Sequence, residues 1–486
     1  MTLTDVSSAN DRDPPNYEEF IALEAMALID QTPVSNPTFD KSRCFVERFQ
    51  DSSMLQKLLY YPARDSLELK PTSWLDGVRG VAALEVFIFH AMGCWANIVP
   101  AWQSDEHQTN IMQFPIIRTF FVSGGASVCL FFVLSGYVLT HKSLRWIREG
   151  QKHQVYPSVA SSMFRRGFRL YLPPILLMFC EMIATRFGFA PPLNFTFVPE
   201  STVFAQFLDW LGEINRFVNP FYTFQGGIQG TITHTKYDVV VWTIPLEFYG
   251  SFMCYFFLFL LVWTPSSGAR MGLVAVFSIF CMFLGSWNMF CFSAGMLIAD
   301  LNLGQEHNEK TPSPKHRIIW TTVFALALYL AGFPSLLTGV TPMPGYETLL
   351  SLIPTSLNMQ DYARFWWSIS GVSLLLSISQ LPRLQRVFET NFCQYLGKIA
   401  FSLYLIHEFS IILFGLGIQR VLLDVLGSEE HAYTLRYWLI CGVWYLFFTL
   451  PVFALAARVE RWVDAPSVKF ARWLEGECLK CYRKKI

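Results

Sequence analysis

Arg79 and His90 stand eleven positions apart in the first apolar stretch of the chain, residues 74–90 (WLDGVRGVAALEVFIFH). At about 100° per residue, eleven residues make roughly three turns plus 20°, so both side chains project from one face of a helix. The rise between them is about 16 Å, close to half of a ~30 Å hydrocarbon core. With Arg79 at one membrane surface, His90 sits near the midplane on the same stripe. An imidazole there exchanges protons near neutrality, and a guanidinium holds anions. Ionisable groups at such depth usually face a polar cavity and mark a functional site. The alternative, from residue types alone, is an interfacial anchor at Arg79 and a hydrogen-bonded interior residue at His90.

Other stretches break the apolar pattern. Residues 242–249 (WTIPLEFY) bury the carboxylate of Glu247 inside a span, beside a kinking proline, Pro245. An unpaired carboxylate at that depth is unfavourable, so His90 or Arg79 is the expected partner. Arg165, Arg166 and Arg169 form a basic cluster leading into a later span. Such a cluster is either a positive-inside anchor or a phosphate site, since Arg pairs with phosphate through two parallel hydrogen bonds. The small pair Ser135-Gly136 reads first as helix packing. Residues 402–408 (SLYLIHE) place a second histidine, His407, and an acid, Glu408, in one span.

The elements that position these residues are membrane helices. Hydrophobic residues make up 52% of the 486 and charged residues 15%, against about 25% charged in soluble domains. The formal net charge of zero gives no electrostatic case for nucleic acid. Eleven cysteines are scattered, mostly in apolar runs, without a disulfide framework or a zinc spacing, so no metal site is expected. The lone Cys478-x-x-Cys481 pair fits palmitoylation as well as metal or redox chemistry. Spans are predicted near 75–98, 119–140, 168–190, 238–263, 269–285, 287–301, 317–338, 365–380, 393–417 and 437–459. The predicted fold class is an all-α membrane protein of about ten transmembrane helices.

Basic residues set the expected orientation. Lys142, Arg145, Arg148, Lys152 and the Arg165 cluster follow the second span, and eight Lys and Arg from Arg458 to Lys485 follow the last, which predicts both termini in the cytoplasm. Residues 1–73 read as a cytoplasmic, largely disordered tail without a signal peptide, 74–463 as the transmembrane domain, and 464–486 as a basic cytoplasmic tail. Pro14, Pro15 and Tyr17 resemble a WW-domain ligand. Asn194-Phe195-Thr196 is a glycosylation sequon on the predicted lumenal side. The Arg483-Lys484-Lys485-Ile486 end is similar to a dibasic retrieval signal, which points to the endoplasmic reticulum or another endomembrane.

LDGVRGVAALEVFIFH, FFVLSGYVLT, RRGFRLYLP, WTIPLEFYGSF, YLGKIAFSLYLIHE and VERWVDAPS occur in that order. With the Arg-x10-His spacing of Arg79 and His90, they resemble the acyltransferase 3 family of multi-spanning O-acyltransferases over residues 74–473. The resemblance implies a ten-helix core, with acyl-CoA, acetyl-CoA foremost, as co-substrate. It implies transfer to a hydroxyl of a small acceptor such as a specialised metabolite, in a fungal-type enzyme. On that footing His90 is the expected general base, oriented by Glu247. Arg79 is expected to hold the CoA arm or offset oxyanion charge, and Arg165, Arg166 and Arg169 to grip CoA phosphates. No Ser or Cys stands out as a nucleophile, so direct transfer is expected. A proton-coupled transporter is the runner-up, since buried Arg, His and Glu also suit a proton path. An inactive interaction protein is the third reading.

Overall fold

The structure, a computed structural model, describes residues 58–61, 69–104, 109–188, 199–220, 234–306, 313–335, 343–357, 359, 361–427 and 434–483. Pro14, Pro15, Tyr17 and Asn194 lie outside the described residues, as does the dibasic end beyond Arg483. Among the described residues there is no strand. The α-helices are α1 (Ser73–Gly93), α2 (Thr119–Val122), α3 (Gly124–Arg148), α4 (Val155–Arg186), α5 (Val203–Val218), α6 (Thr243–Leu261), α7 (Ser267–Phe283) and α8 (Trp287–Gln305). They continue with α9 (Pro314–Ala331), α10 (Glu347–Ser351), α11 (Ala363–Ser379), α12 (Pro382–Phe388), α13 (Asn391–Ser410), α14 (Leu416–Leu426), α15 (Leu435–Val459) and α16 (Ala465–Arg483).

Each predicted span falls on a helix, but among the described residues five segments are long and apolar enough to cross a membrane: Gly124–Arg148, Lys152–Arg186, Val240–Leu261, Asn391–Leu426 and Leu435–Cys481. The shortfall has physical causes. α1 carries Asp76, Arg79 and Glu85 within 21 residues. α7 has only 17 residues, short of the ~20 that a hydrocarbon core requires. Among the described residues the regular structure is all helical, with five candidate spans.

Small residues set the central packing. A Cβ on Gly80 of α1 would run into the backbone of Leu396 and Gly397 in α13, and one on Gly397 would run into Asp76. The absence of side chains at this crossing lets the two backbones touch. Ten residues further along each helix, His90 meets His407, so α1 and α13 run parallel. Gly136 in α3 and Gly295 in α8 do the same for the α3–α8 pair, which makes packing the right reading for Gly136. Its neighbour Ser135 has a second role, described below. Arg270 and Arg148 both bind Asp300, at 2.7 and 2.6 Å, and tie α7, α3 and α8 together.

Two expectations change in detail. Pro245 lies inside the Val240–Leu261 candidate span but in the first turn of α6, where no intrahelical N–H bond of that helix is lost, so it starts the helix rather than kinking it. The expected C-terminal tail carries a helix, α16, which packs along α4 through the Phe168 and Phe470 rings, 6.2 Å apart.

Candidate active site

The parallel packing of α1 and α13 builds a cluster of His90, His407 and Glu408. His407 is fully buried, while the His90 side chain keeps 26% of its surface exposed. A π-helical turn, Ile411–Gly415, follows directly on α13, and such turns are frequent at functional sites.

The hydrogen bonds fix where the protons sit. His407 Nδ1 lies 2.6 Å from the Tyr404 carbonyl and 3.2 Å from the Leu403 carbonyl. Carbonyls only accept, so Nδ1 of His407 carries a hydrogen and its Nε2 keeps a lone pair. That Nε2 is 3.0 Å from His90 Nδ1, and Glu408 Oε2 is 3.0 Å from the same nitrogen. Set between a lone pair and a carboxylate, His90 Nδ1 must be the donor. The other ring nitrogen of His90, Nε2, is therefore the basic one.

His90, His407 and Glu408 also have donor atoms within 4.8 Å of one another, a set that zinc accepts. Both 3.0 Å separations in the cluster are hydrogen-bond lengths, and the lone pair of His407 is directed at a proton on His90. Hydrogen-bonded in this way, the three residues can share a proton.

A separate cavity of about 160 Å³ lies toward the Arg79 end of α1. Arg79, Arg166, Arg169 and Lys398 supply four cationic side chains to its wall, and Glu247 and Asp464 two carboxylates. Arg79 Nη2 donates to Asp76 Oδ1 at 2.7 Å and to the Gly397 carbonyl at 3.2 Å. Arg166 pairs with Glu247 and donates through Nε to Ser251 at 3.0 Å. Ser135 Oγ donates to the same Glu247 oxygen at 2.6 Å. The deep end of the cavity is closed by Tyr404, whose ring meets Phe131 edge-on at 6.1 Å. The Tyr404 hydroxyl is held at 2.9 Å from Thr243 Oγ1 and 2.8 Å from the Val240 carbonyl. His407 is the next turn of the same helix, so the cavity stops one helical turn short of the imidazoles.

These positions correct two expectations. Glu247 does not orient His90: it neutralises Arg166 in the cavity wall, and Glu408 takes the place beside His90. Arg165 does not line the cavity, because Glu475 of α16 holds it at 3.1 Å. Arg79, Arg166 and Arg169 come together as expected. His407 and Glu408 stand out in the sequence without an assigned role, and nothing there marks Lys398, Tyr404 or Asp464 as site residues. A signal was available for the first pair. His407 in the SLYLIHE string sits ten residues beyond Gly397, as His90 sits ten beyond Gly80.

Comparison with known proteins identifies the family. A family model described as an acyltransferase domain, of the acyltransferase 3 type, matches residues 72–458. The chain is 30% identical to the O-acetyltransferase PaAT-1 of Phomopsis amygdali, over 86% of this chain and 87% of that protein. It is 24% identical to acyltransferase R4 of a Phoma species, over 82% and 94% of the respective chains. With acyltransferase clz18 of Cochliobolus lunatus it shares 23% identity over 84% and 96%. No solved structure matches the chain. The chain belongs to the acyltransferase 3 family, as a fungal-type, integral membrane enzyme that transfers acyl groups.

Proposed function

We propose that this enzyme moves an acyl group, acetyl foremost, from acyl-CoA to a hydroxyl of a small specialised metabolite, with His90 as general base. One observation carries the reading: His90 Nδ1 is held 3.0 Å from the Glu408 carboxylate, so its other nitrogen is free to take a proton. The acceptor hydroxyl gives its proton to His90 Nε2 as its oxygen attacks the thioester carbonyl. The imidazolium so formed is stabilised by Glu408. Collapse of the tetrahedral intermediate breaks the C–S bond, and the departing thiolate recovers the proton from His90. No external acid or base is consumed.

The cavity supplies the other half of the reading. Its cationic wall suits the phosphates of CoA, with Arg79, Arg166, Arg169 and Lys398 as the gripping groups. Arg79 lies eleven residues, about 16 Å along the helix, from His90. That distance favours a hold on the CoA arm over stabilisation of the oxyanion. The thioester end of an extended pantetheine chain then points toward Tyr404, and its passage to His90 requires the Tyr404 and Phe131 rings to part. The reading also keeps about ten spans. The cavity mouth and both termini face the cytoplasm in an endomembrane, with Asn194 in the lumen.

The likeness to PaAT-1, an O-acetyltransferase, supports acetyl as the group transferred and oxygen as the atom acylated. The deciding experiment compares metabolite extracts from cells with and without the protein. A product heavier by one acyl unit, formed from labelled acetyl-CoA in isolated membranes, supports the proposal. Membranes that form no acylated product from any acyl-CoA refute it.

A further inference from the structure

Among the described residues three arginines are buried: Arg118, Arg270 and Arg364. Two have their charge answered by the protein. Arg118 donates to the carbonyls of Pro100, Gln113 and Val99 at 2.9, 3.4 and 2.7 Å. Arg270 donates twice to the Asp300 carboxylate, at 2.7 and 2.8 Å. Arg364, in the first turn of α11, is different. The residue is 7% exposed and its Nη1 has no hydrogen-bond partner. Among the described residues no carboxylate pairs with it. A guanidinium taken out of water without an anion is unfavourable, and inside a membrane protein such a group marks a ligand site.

Tryptophan surrounds it instead. The guanidinium carbon lies 4.4 Å from the ring centre of Trp287, 5.0 Å from that of Trp242 and 5.3 Å from that of Trp367. Indole faces attract a cation, yet they offer its N–H groups no oxygen to bind. Trp287 and Trp367 are buried, while Trp242 is partly exposed, so the way to the guanidinium runs past Trp242.

This cage borders the reacting region on two sides. Trp242 precedes Thr243, which lines the cavity and lies 2.9 Å from the Tyr404 hydroxyl. Phe132, from the cavity wall, stacks on Trp287 at 5.4 Å. On the other side, a Cβ on Gly125 would run into the Trp367 ring, and one on the adjacent Gly124 into the ring of Phe89, the neighbour of His90. The charge of Arg364 is felt at the Tyr404 hydroxyl and the Cys129 thiol, neither of them a carboxylate. Arg364 is near the base without being bonded to it, since the hydrogen-bond partners of His90 Nδ1 are Glu408 and His407.

We propose that Arg364 and its three tryptophans anchor the acceptor, a metabolite that carries a carboxylate as well as the hydroxyl to be acylated. Both carboxylate oxygens take N–H groups of the guanidinium fork, and the indole faces cover the carbon skeleton behind them. The hydroxyl, elsewhere on the same molecule, then reaches His90. This inference rests on the acyl-transfer reading above and adds the chemical class of the acceptor. The phosphates of CoA have the four cations of the cavity, which leaves Arg364 to the other substrate.

The test uses membranes with the full chain, labelled acetyl-CoA and, as acceptor, a metabolite extract of cells lacking the protein. Half of the extract is first treated with trimethylsilyldiazomethane, which esterifies carboxylic acids and spares aliphatic hydroxyls. The untreated half should yield labelled product, the esterified half about tenfold less or below, and alkaline hydrolysis of the esters should restore it. Equal labelling of the two halves overturns the inference alone. An untreated extract that takes no label from any acyl-CoA overturns the acyl-transfer reading as well. In a second measurement, Arg364→Met should lower labelling of the untreated extract about tenfold or more, with the half-saturating acetyl-CoA concentration kept within about twofold. Unchanged labelling, or a loss that excess acetyl-CoA repairs, overturns the inference. The esterification result comes from the unaltered enzyme and decides by itself where Arg364→Met fails to fold.

Discussion

Arg79 and His90 share one helix, yet their surroundings are built on opposite terms. Around Arg79, five helices and the turn before α16 contribute side chains to an open cavity with four cations and two carboxylates. Around His90, two parallel helices bring a carboxylate and a second imidazole to a single nitrogen, with no cation among its hydrogen-bond partners. The first arrangement suits a large anionic group that arrives and leaves. The second suits one proton held in one place. On the proposed function, binding and proton transfer are separated along α1, with the Tyr404 ring between them. A proton path through the bilayer would string these charges in one file. Here Glu247 and His90 belong to different assemblies.

The sharpest way to break this contrast is His90→Ala, which removes the base and leaves the cavity intact. Turnover should fall by about 10²–10⁴-fold while the KM for acyl-CoA stays within about threefold. A folded His90→Ala variant with full turnover ends the assignment. Next in size is Glu408→Gln, which keeps the shape but removes the charge that stabilises the imidazolium. Turnover should drop about 100-fold, again with little change in KM, whereas Glu247→Gln should act on KM. Equal losses of turnover in both variants would erase the distinction between the two carboxylates.

A smaller effect is expected at the cavity. Arg169→Ala removes one charge-assisted contact, worth about 1.5–3 kcal/mol, so the KM for acyl-CoA should rise about 10- to 100-fold with turnover nearly kept. Initial-rate measurements over a range of acyl-CoA concentrations separate the two parameters. The smallest effect belongs to Arg165→Ala, because that side chain is engaged by Glu475 of α16. Its KM should stay within about twofold. A tenfold rise would return Arg165 to the binding site.

Much of the site was legible because helical periodicity is local. Arg79 and His90 fall on one stripe from their spacing alone, and the basic run around Arg166 announces itself by composition. The carboxylate partners were not legible for a related reason. Two acids, Glu247 and Glu408, lie in apolar helices, and nothing local distinguishes which one reaches His90. The same holds for Arg165 and Arg169, four residues apart and on one face of α4. Glu475, more than three hundred positions away, decides between them.

By itself, then, the chain determined its helices, its place in a membrane and the residues able to do chemistry, because those follow from side-chain type at intervals of a few turns. Only the tertiary structure decided that Glu408 and His407 stand beside His90, that Glu247 answers Arg166, and that the cavity ends at Tyr404. The physical reason is the bare crossing of Gly80 and Gly397. It lets α1 and α13 run side by side and brings into hydrogen-bond contact residues 318 positions apart.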